Sequence, residues 1–315
     1  MILLKLMVPI NENRIPLTLI QEDFLIKKNI KLYILREDLI HPEISGNKWR
    51  KLKYNLQEAK DKGFTKLLTF GGAYSNHIAA TAAAGKEFGI QTIGIIRGEG
   101  QLPLNHTLQL AKTNGMLLKY VSREQYRNKN ERSFIEELKK EFGNFYRVPE
   151  GGSNALAVKG CTEIISNISI DYDIICTACG TGGTISGIIA STSHQQVIGF
   201  PALKGGDFLN EDIRKLLAEY GNQFNCKIKN ANWQLITDYH FGGYARVNAE
   251  LMDFIRSFNQ KHDILLDFIY TGKLLFGLYD RIKKSDEYKN KTIIAVHTGG
   301  IQGNKGFWER FGITI

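Results

Sequence analysis

The 315-residue chain is predicted to be α/β, folded on doubly wound and mostly parallel sheets. Two observations predict this. Short runs rich in Ile, Val, Leu and Phe alternate with longer amphipathic stretches almost throughout. The runs are nearly continuously apolar rather than alternating, as strands buried on both faces are. In such folds ligands collect at the carboxyl ends of the strands, so glycine-rich turns there become the places to examine.

Strands are expected at residues 66–70, 91–97, 116–121, 145–148, 173–177, 196–200, 234–237 and 292–297. Helices are expected at 47–62, 76–88, 102–114, 131–142, 154–168, 183–193, 207–220, 246–261 and 272–284. The length exceeds one ordinary hydrophobic core and calls for one large domain or two interleaved ones. With six prolines and no low-complexity segment or internal repeat, no flexible linker is marked.

A net charge of +9 invites a nucleic-acid reading. The lysines are scattered, however, and no recognition motif accompanies them, so a solvated basic surface that attracts small anions is the economical account. The apolar opening, residues 1–10, carries Lys5 and lacks the length and flanks of a secretory signal. No stretch approaches the apolar length of a membrane span. Of the four cysteines, Cys176 and Cys179 form a CxxC inside an apolar run that reads as a buried strand. With no second ligand pair, zinc and redox chemistry are not expected, and a reducing cytoplasm fits.

The chemistry is expected at the turns. In residues 44–51, ISGNKWRK, a small flexible turn runs into a helix with Lys48 in its first turn and Lys51 near the same face. The positive helix terminus favours a neutral Lys48 amine, which a Schiff base needs. In residues 69–77, TFGGAYSNH, Ser75 and Asn76 fall at capping positions, and the backbone N–H groups there could hold a carboxylate. His77 could reach the same site, although it reads more simply as a helix-surface histidine. In residues 179–187, CGTGGTISG, Gly180, Thr181, Gly182, Gly183 and Thr184 form an amide-and-hydroxyl cradle suited to a phosphate. That loop lacks the Gly-Lys-Ser/Thr of a nucleotide P-loop and the GxGxxG spacing. In FIYTGKLLFG, Tyr270 and Thr271 are expected to end an extended run ahead of a helix. Thr298 in VHTGG stands at the end of the last strong strand, and Tyr244 in HFGGYAR lies beside another glycine turn.

In this order, SGNKWRK, GGAYSNH, GTGGTISG, YTGK and HTGG resemble the pyridoxal-phosphate enzymes related to 1-aminocyclopropane-1-carboxylate deaminase and D-cysteine desulfhydrase. These have the tryptophan-synthase-β-like fold, fold type II. The phrase REDLIHPEISGNKWRKL is similar to the family's opening beyond the lysine itself, and matching runs from Arg36 to Gly300. The resemblance implies two doubly wound sheets, with a small domain, residues 46–148, inserted in a large cofactor domain of residues 1–45 and 149–315. It implies pyridoxal 5′-phosphate held as an imine on Lys48, its phosphate helped by Lys51 and cradled by 180–184. Asn76 would meet the cofactor's 3′ oxygen, and Ser75 the substrate carboxylate or the catalysis. Asn76, His77, Tyr244 and Tyr270 would face a small amino-acid substrate, with Tyr270 also among the catalytic residues beside Lys48 and Ser75. A homodimer is also implied, with no nucleic-acid or membrane partner.

Two positions separate the subfamilies. The deaminases resemble one another in a Tyr-Glu pair at the site of Tyr270–Thr271 and an apolar residue where Thr298 stands, whereas this chain has threonine at both. A carboxylate beside the pyridine nitrogen strengthens the electron sink, which opening a cyclopropane without an α-hydrogen demands. Threonine supplies a neutral hydrogen bond, which suffices where an α-proton can be removed directly. The expectation is therefore β-elimination, D-cysteine giving pyruvate, sulfide and ammonia. The rivals are a ring-opening deaminase giving 2-oxobutyrate, another pyridoxal-phosphate activity such as D-serine dehydration or racemisation, and a non-catalytic phosphate-ligand binding protein on the same fold.

Overall fold

A computed structural model describes residues 10–12, 14–100 and 102–311. The apolar opening weighed above as a targeting signal lies, apart from Ile10, outside the described residues. Ten strands are described: β1 (Leu17–Ile20), β2 (Lys31–Leu35), β3 (Lys66–Gly72), β4 (Gln91–Arg97), β5 (Leu117–Val121), β6 (Tyr146–Arg147), β7 (Ile174–Cys179), β8 (Gln196–Pro201), β9 (Trp233–Leu235) and β10 (Thr292–Val296). They make a six-stranded sheet, β1-β2-β10-β7-β8-β9, and a four-stranded sheet, β5-β4-β3-β6. Every pairing is parallel except β1 with β2. The four-stranded sheet is inserted between β2 and β7 of the larger one, the α/β arrangement expected.

Both sheets are covered on both faces, which explains their continuously apolar strands. On one face of the larger sheet Ile34, Cys176 and Ala295 share a core with Ile255 of the helix Ala249–His262 and Leu278 of the helix Thr271–Lys284. On the other, Ile175, Val197 and Ile294 pack with Ile185 and Ile188 of the helix Gly183–Ser191. The same core takes in Trp49, Leu52 and Leu56 from the helix Asn47–Asp61, together with Leu67 and Ala83 beside the smaller sheet. That helix is thus wedged between the sheets, and it is the one that carries both candidate lysines.

Three departures from the expected elements have local causes. The strands β1 and β2 were not expected, because four- and five-residue runs beside Pro16 and a string of lysines carry little periodicity until they pair with each other and with β10. The helix expected from residue 102 begins at His106, since Pro103 cannot continue a helix and Asn105 caps the later start by accepting from Leu108 N at 3.0 Å. Residues 268–270 are not an extended run but a turn, and the helix starts at Thr271. The Asp267 carboxylate makes that turn by accepting from the N–H groups of Ile269, Tyr270 and Thr271 at 2.9, 2.9 and 2.7 Å.

Candidate active site

The carboxyl ends of both sheets meet over the start of the Asn47–Asp61 helix. Gly46, its N-cap, has φ +60, and a side-chain carbon there would fall 2.1 Å from the Thr298 carbonyl oxygen. Only glycine allows the chain to pass so close below the last strand's turn. Asn47 then donates its N–H to that carbonyl at 3.3 Å, which fixes where Lys48 begins.

Lys48 is partly accessible, and its Nζ donates to Asn47 Oδ1 at 2.8 Å. Asn47 Nδ2 in turn donates to Thr184 Oγ1 at 2.8 Å, so one side chain links the lysine to the glycine-rich cradle. Burial, and then the neighbouring Lys51 charge, push Lys48 from its ordinary 10.5 down to about 7, while Cys161 and Asp267 pull the other way. Lys51 is buried and also lowered, first by desolvation. Its Nζ donates to Gly151 O at 3.0 Å, Ser153 Oγ at 3.0 Å and Thr181 Oγ1 at 3.4 Å. Among the described residues neither lysine has a carboxylate partner within ion-pair distance. A buried cation without a counter-charge is costly, so the pocket favours an anion.

The cradle supplies a place for one. Gly183 opens a nine-residue helix, and a side-chain carbon there would lie 2.7 Å from Ser153 Oγ and 3.1 Å from Lys51 Nζ. The first N–H groups of that helix, the hydroxyls of Ser153 and Thr181 (2.6 Å apart) and the Lys51 ammonium therefore converge. Gly180 and Gly182 complete the turn, with Tyr270 lying against Gly180 at 3.1 Å from the position of an added carbon.

Across the cleft, Ser75 caps the helix Asn76–Phe88, accepting from Ile78 N at 3.4 Å. Asn76 is buried with its Oδ1 unpartnered among the described residues. His77 corrects the surface reading: it is 2 % exposed, Nε2 meets Thr69 Oγ1 at 2.8 Å and Nδ1 has no partner. Burial and then the charges of Lys48 and Lys51 hold His77 well below its ordinary value, so it is a neutral imidazole. The Asn76 and His77 atoms are thus buried polar groups without a hydrogen-bond partner among the described residues, lying against Gly303 and Gly152 respectively.

Tyr244 and Tyr270 pair edge-to-face at 6.2 Å, and desolvation raises both above the ordinary phenol value. Thr271 Oγ1 donates to Asp267 Oδ1 at 2.8 Å and accepts from Asp267 N at 2.9 Å, so its proton is committed. The Thr298 hydroxyl has no hydrogen-bond partner among the described residues, and Thr298 is nearly buried.

Four contributors escaped the sequence reading. Gly151 and Ser153 belong to PEGGSN, a strand–glycine–helix turn of the same form as the others, and that signal could have found them. Asn47 sits beside the candidate lysine. Asp267 could be recognised only once residues 268–270 were seen to turn. On the far side of the lysine helix, buried Arg50 is gripped by Glu37 at 3.0 and 3.1 Å, with Glu12 and Glu163 at 3.2 and 3.4 Å.

Two doubly wound sheets with an uncompensated lysine pair and a phosphate-shaped cradle at their meeting edges describe a pyridoxal-phosphate enzyme of the tryptophan-synthase-β-like fold. A family model described as "Pyridoxal-phosphate dependent enzyme" matches residues 12–299. The chain belongs to that family, within the group of 1-aminocyclopropane-1-carboxylate deaminase and D-cysteine desulfhydrase relatives. A Thermotoga maritima relative carrying the provisional name 1-aminocyclopropane-1-carboxylate deaminase is 32% identical, covering 88% of this chain and 91% of its own. The bifunctional D-cysteine desulfhydrase/1-aminocyclopropane-1-carboxylate deaminase of Arabidopsis thaliana is 29% identical, covering 87% of this chain and 73% of its own. A crystal structure of an ACC deaminase homologue superposes with TM-score 0.84 at 28% identity, covering 98% of this chain and 96% of its own.

The family's cofactor fits the residues present: an uncompensated Lys51 among hydroxyls and helix N–H groups suits its phosphate, and a lysine with a depressed value suits its aldehyde. Among the described residues no helix is long and apolar enough to cross a membrane.

Proposed function

We propose that this enzyme catalyses β-elimination on a D-amino acid bearing a good leaving group, with D-cysteine and water giving pyruvate, hydrogen sulfide and ammonia. The observation that carries the reading is the Thr271 hydroxyl committed to Asp267, at the position where the deaminases resemble one another in carrying glutamate. Asp267 already accepts three backbone N–H groups and this hydroxyl. Neither residue then offers a free carboxylate to the cofactor ring, and ring opening loses its strongest aid. The D configuration is supported by the name of the Arabidopsis relative.

In this reading Lys51, Ser153 and residues 180–184 hold the cofactor phosphate, Asn76 its 3′ oxygen, and Thr298 its ring nitrogen side. When bound, pyridoxal phosphate supplies an electron sink for charge developing at the substrate's α-carbon. Lys48, with its value near neutrality, would hold the cofactor aldehyde, and its free Nζ would serve as the base for the substrate's α-proton. The Cβ–S bond then breaks and hydrosulfide leaves with its electron pair. The Ser75 hydroxyl and the N-terminal N–H groups of its helix bind the substrate carboxylate. Neutral His77 backs this surface, and the phenols of Tyr244 and Tyr270 close the substrate side.

The ring-opening deaminase stays as the second reading because the Thermotoga maritima relative carries that name. The deciding experiment offers the holoenzyme D-cysteine, L-cysteine, D-serine and 1-aminocyclopropane-1-carboxylate in turn and measures sulfide and 2-oxo acids. Sulfide and pyruvate from D-cysteine are expected. Formation of 2-oxobutyrate with no sulfide from D-cysteine would overturn the proposal in favour of the deaminase.

A further inference from the structure

The turn that carries Tyr244 is conformationally costly. Phe241 and Ala245 have φ of 53 and 54, in the left-handed region that side chains with a β-carbon avoid. Its internal bonds are few: Gly243 N to His240 O at 3.0 Å, Arg246 N to Gly243 O at 3.2 Å, and Gly242 N to His240 Nδ1 at 2.9 Å. Such a turn persists only where its surroundings over-determine it.

The surroundings here converge on Lys273, the lysine of YTGK. Its side chain is 1% exposed, and its Nζ donates to Gly243 O at 2.8 Å, His240 O at 2.9 Å and Ala202 O at 3.3 Å. The three donors of an ammonium thus meet three carbonyl oxygens. Ala202 follows β8, and its N–H is bonded to Cys179 O at 3.0 Å, the residue before the Gly180 turn. Lys273 also stands two residues after Thr271, which Asp267 fixes. One buried ammonium therefore ties the Tyr244 turn to the end of β8 and, through it, to the phosphate-side loop.

We propose that Lys273 is a positioning residue for the substrate side of the cleft: it fastens the 240–246 turn so that Tyr244 stands against Tyr270. The bonds to the Ala202 and Gly243 carbonyls are buried, so without the ammonium these oxygens would lose a donor that solvent does not replace. The role rests on the reading that Tyr244 and Tyr270 face the substrate. An isosteric apolar side chain would fill the same space and leave three carbonyls without a donor.

Two measurements on Lys273→Met test it. In the cofactor-free protein, trypsin cleavage after exposed Arg246 is expected to rise about tenfold, with other sites unchanged, because the turn loses charge-assisted hydrogen bonds. In the holoenzyme, the visible cofactor absorbance is expected to persist while KM for the amino acid rises about tenfold, more than kcat falls. In a Tyr244→Ala background the same substitution should change kcat/KM less than about twofold, because nothing is left to position. Equal losses with and without Tyr244, or unchanged cleavage after Arg246, would overturn the proposal. Should Lys273→Met not fold, Lys273→Gln, which keeps two donors, is read by the same criteria. A wild type that releases no sulfide from D-cysteine would refute the elimination reading alone, since the trypsin arm needs no substrate.

Discussion

Gly183 and Lys51 meet so closely that a side-chain carbon on the glycine would lie 3.1 Å from the lysine's Nζ. The contact joins the start of one helix to the second lysine of another, 132 positions apart in the chain numbering between Lys51 and Gly183. It sets a cation without a carboxylate partner among the described residues beside a helix terminus that favours anions.

Gly183→Ala should therefore weaken the cofactor by obstructing its phosphate while leaving the fold intact. The loss of a charge-assisted contact corresponds to about ten- to hundredfold in Kd. Titrating the cofactor-free protein with pyridoxal phosphate and following the visible band measures it. An unchanged affinity would place the phosphate elsewhere.

Lys48→Ala should abolish the visible band of the bound imine and lower turnover by at least about a thousandfold. Absorbance spectra and sulfide release measure the two effects. A yellow, active variant would remove Lys48 from the chemistry.

Arg50 and Glu37 form a buried pair on the far side of the lysine helix, at 3.0 Å, with neither side chain more than 2% exposed. Removing Glu37 leaves Arg50 only the more exposed Glu12 and Glu163, so Glu37→Gln should cost about 1–3 kcal/mol in urea unfolding. The double variant Arg50→Met with Glu37→Leu should cost less than the sum of the two single changes.

Stability of the cofactor-free protein should rise with pH just above neutrality. Lys48 is pushed down to about 7 and Lys273 to about 8, both by burial, and Lys51 is lowered as well, all from an ordinary 10.5. The unfolded chain keeps these protons where the folded one has released them, so it binds more protons and stability climbs with pH. Buried thiols act in the opposite sense above their ordinary 9, since Cys161 is raised to about 11 and Cys179 to about 12 and both stay protonated in the fold. The gain is thus steepest from about pH 7 to about pH 9 and is opposed by the thiols above that. Urea midpoints at either end of that interval should differ, and Lys48→Met should remove much of the difference.

The parallel α/β plan and the strand-end turns were legible because they are local: continuous apolar runs, then glycines and hydroxyls at a helix start. The lysine pair and residues 180–184, which the structure brings side by side, were singled out that way. His77 was misjudged because helix position alone cannot tell which face another sheet will cover. Tyr270 and Thr271 were placed on a strand because the apolar run before them looks extended until Asp267 folds it into a cap.

Residue order alone settled the strand–helix alternation, the Ser-Gly-Asn-Lys helix start and the phosphate-suited loop, all set by short-range sterics and hydrogen bonding. The long-range packing decided the rest. It brought Lys51 against Gly183, spent the Thr271 proton on Asp267, buried Lys273 under three carbonyls and withheld a carboxylate from Lys48. Each of these depends on which segments close over one another, and desolvation acts only once they have closed.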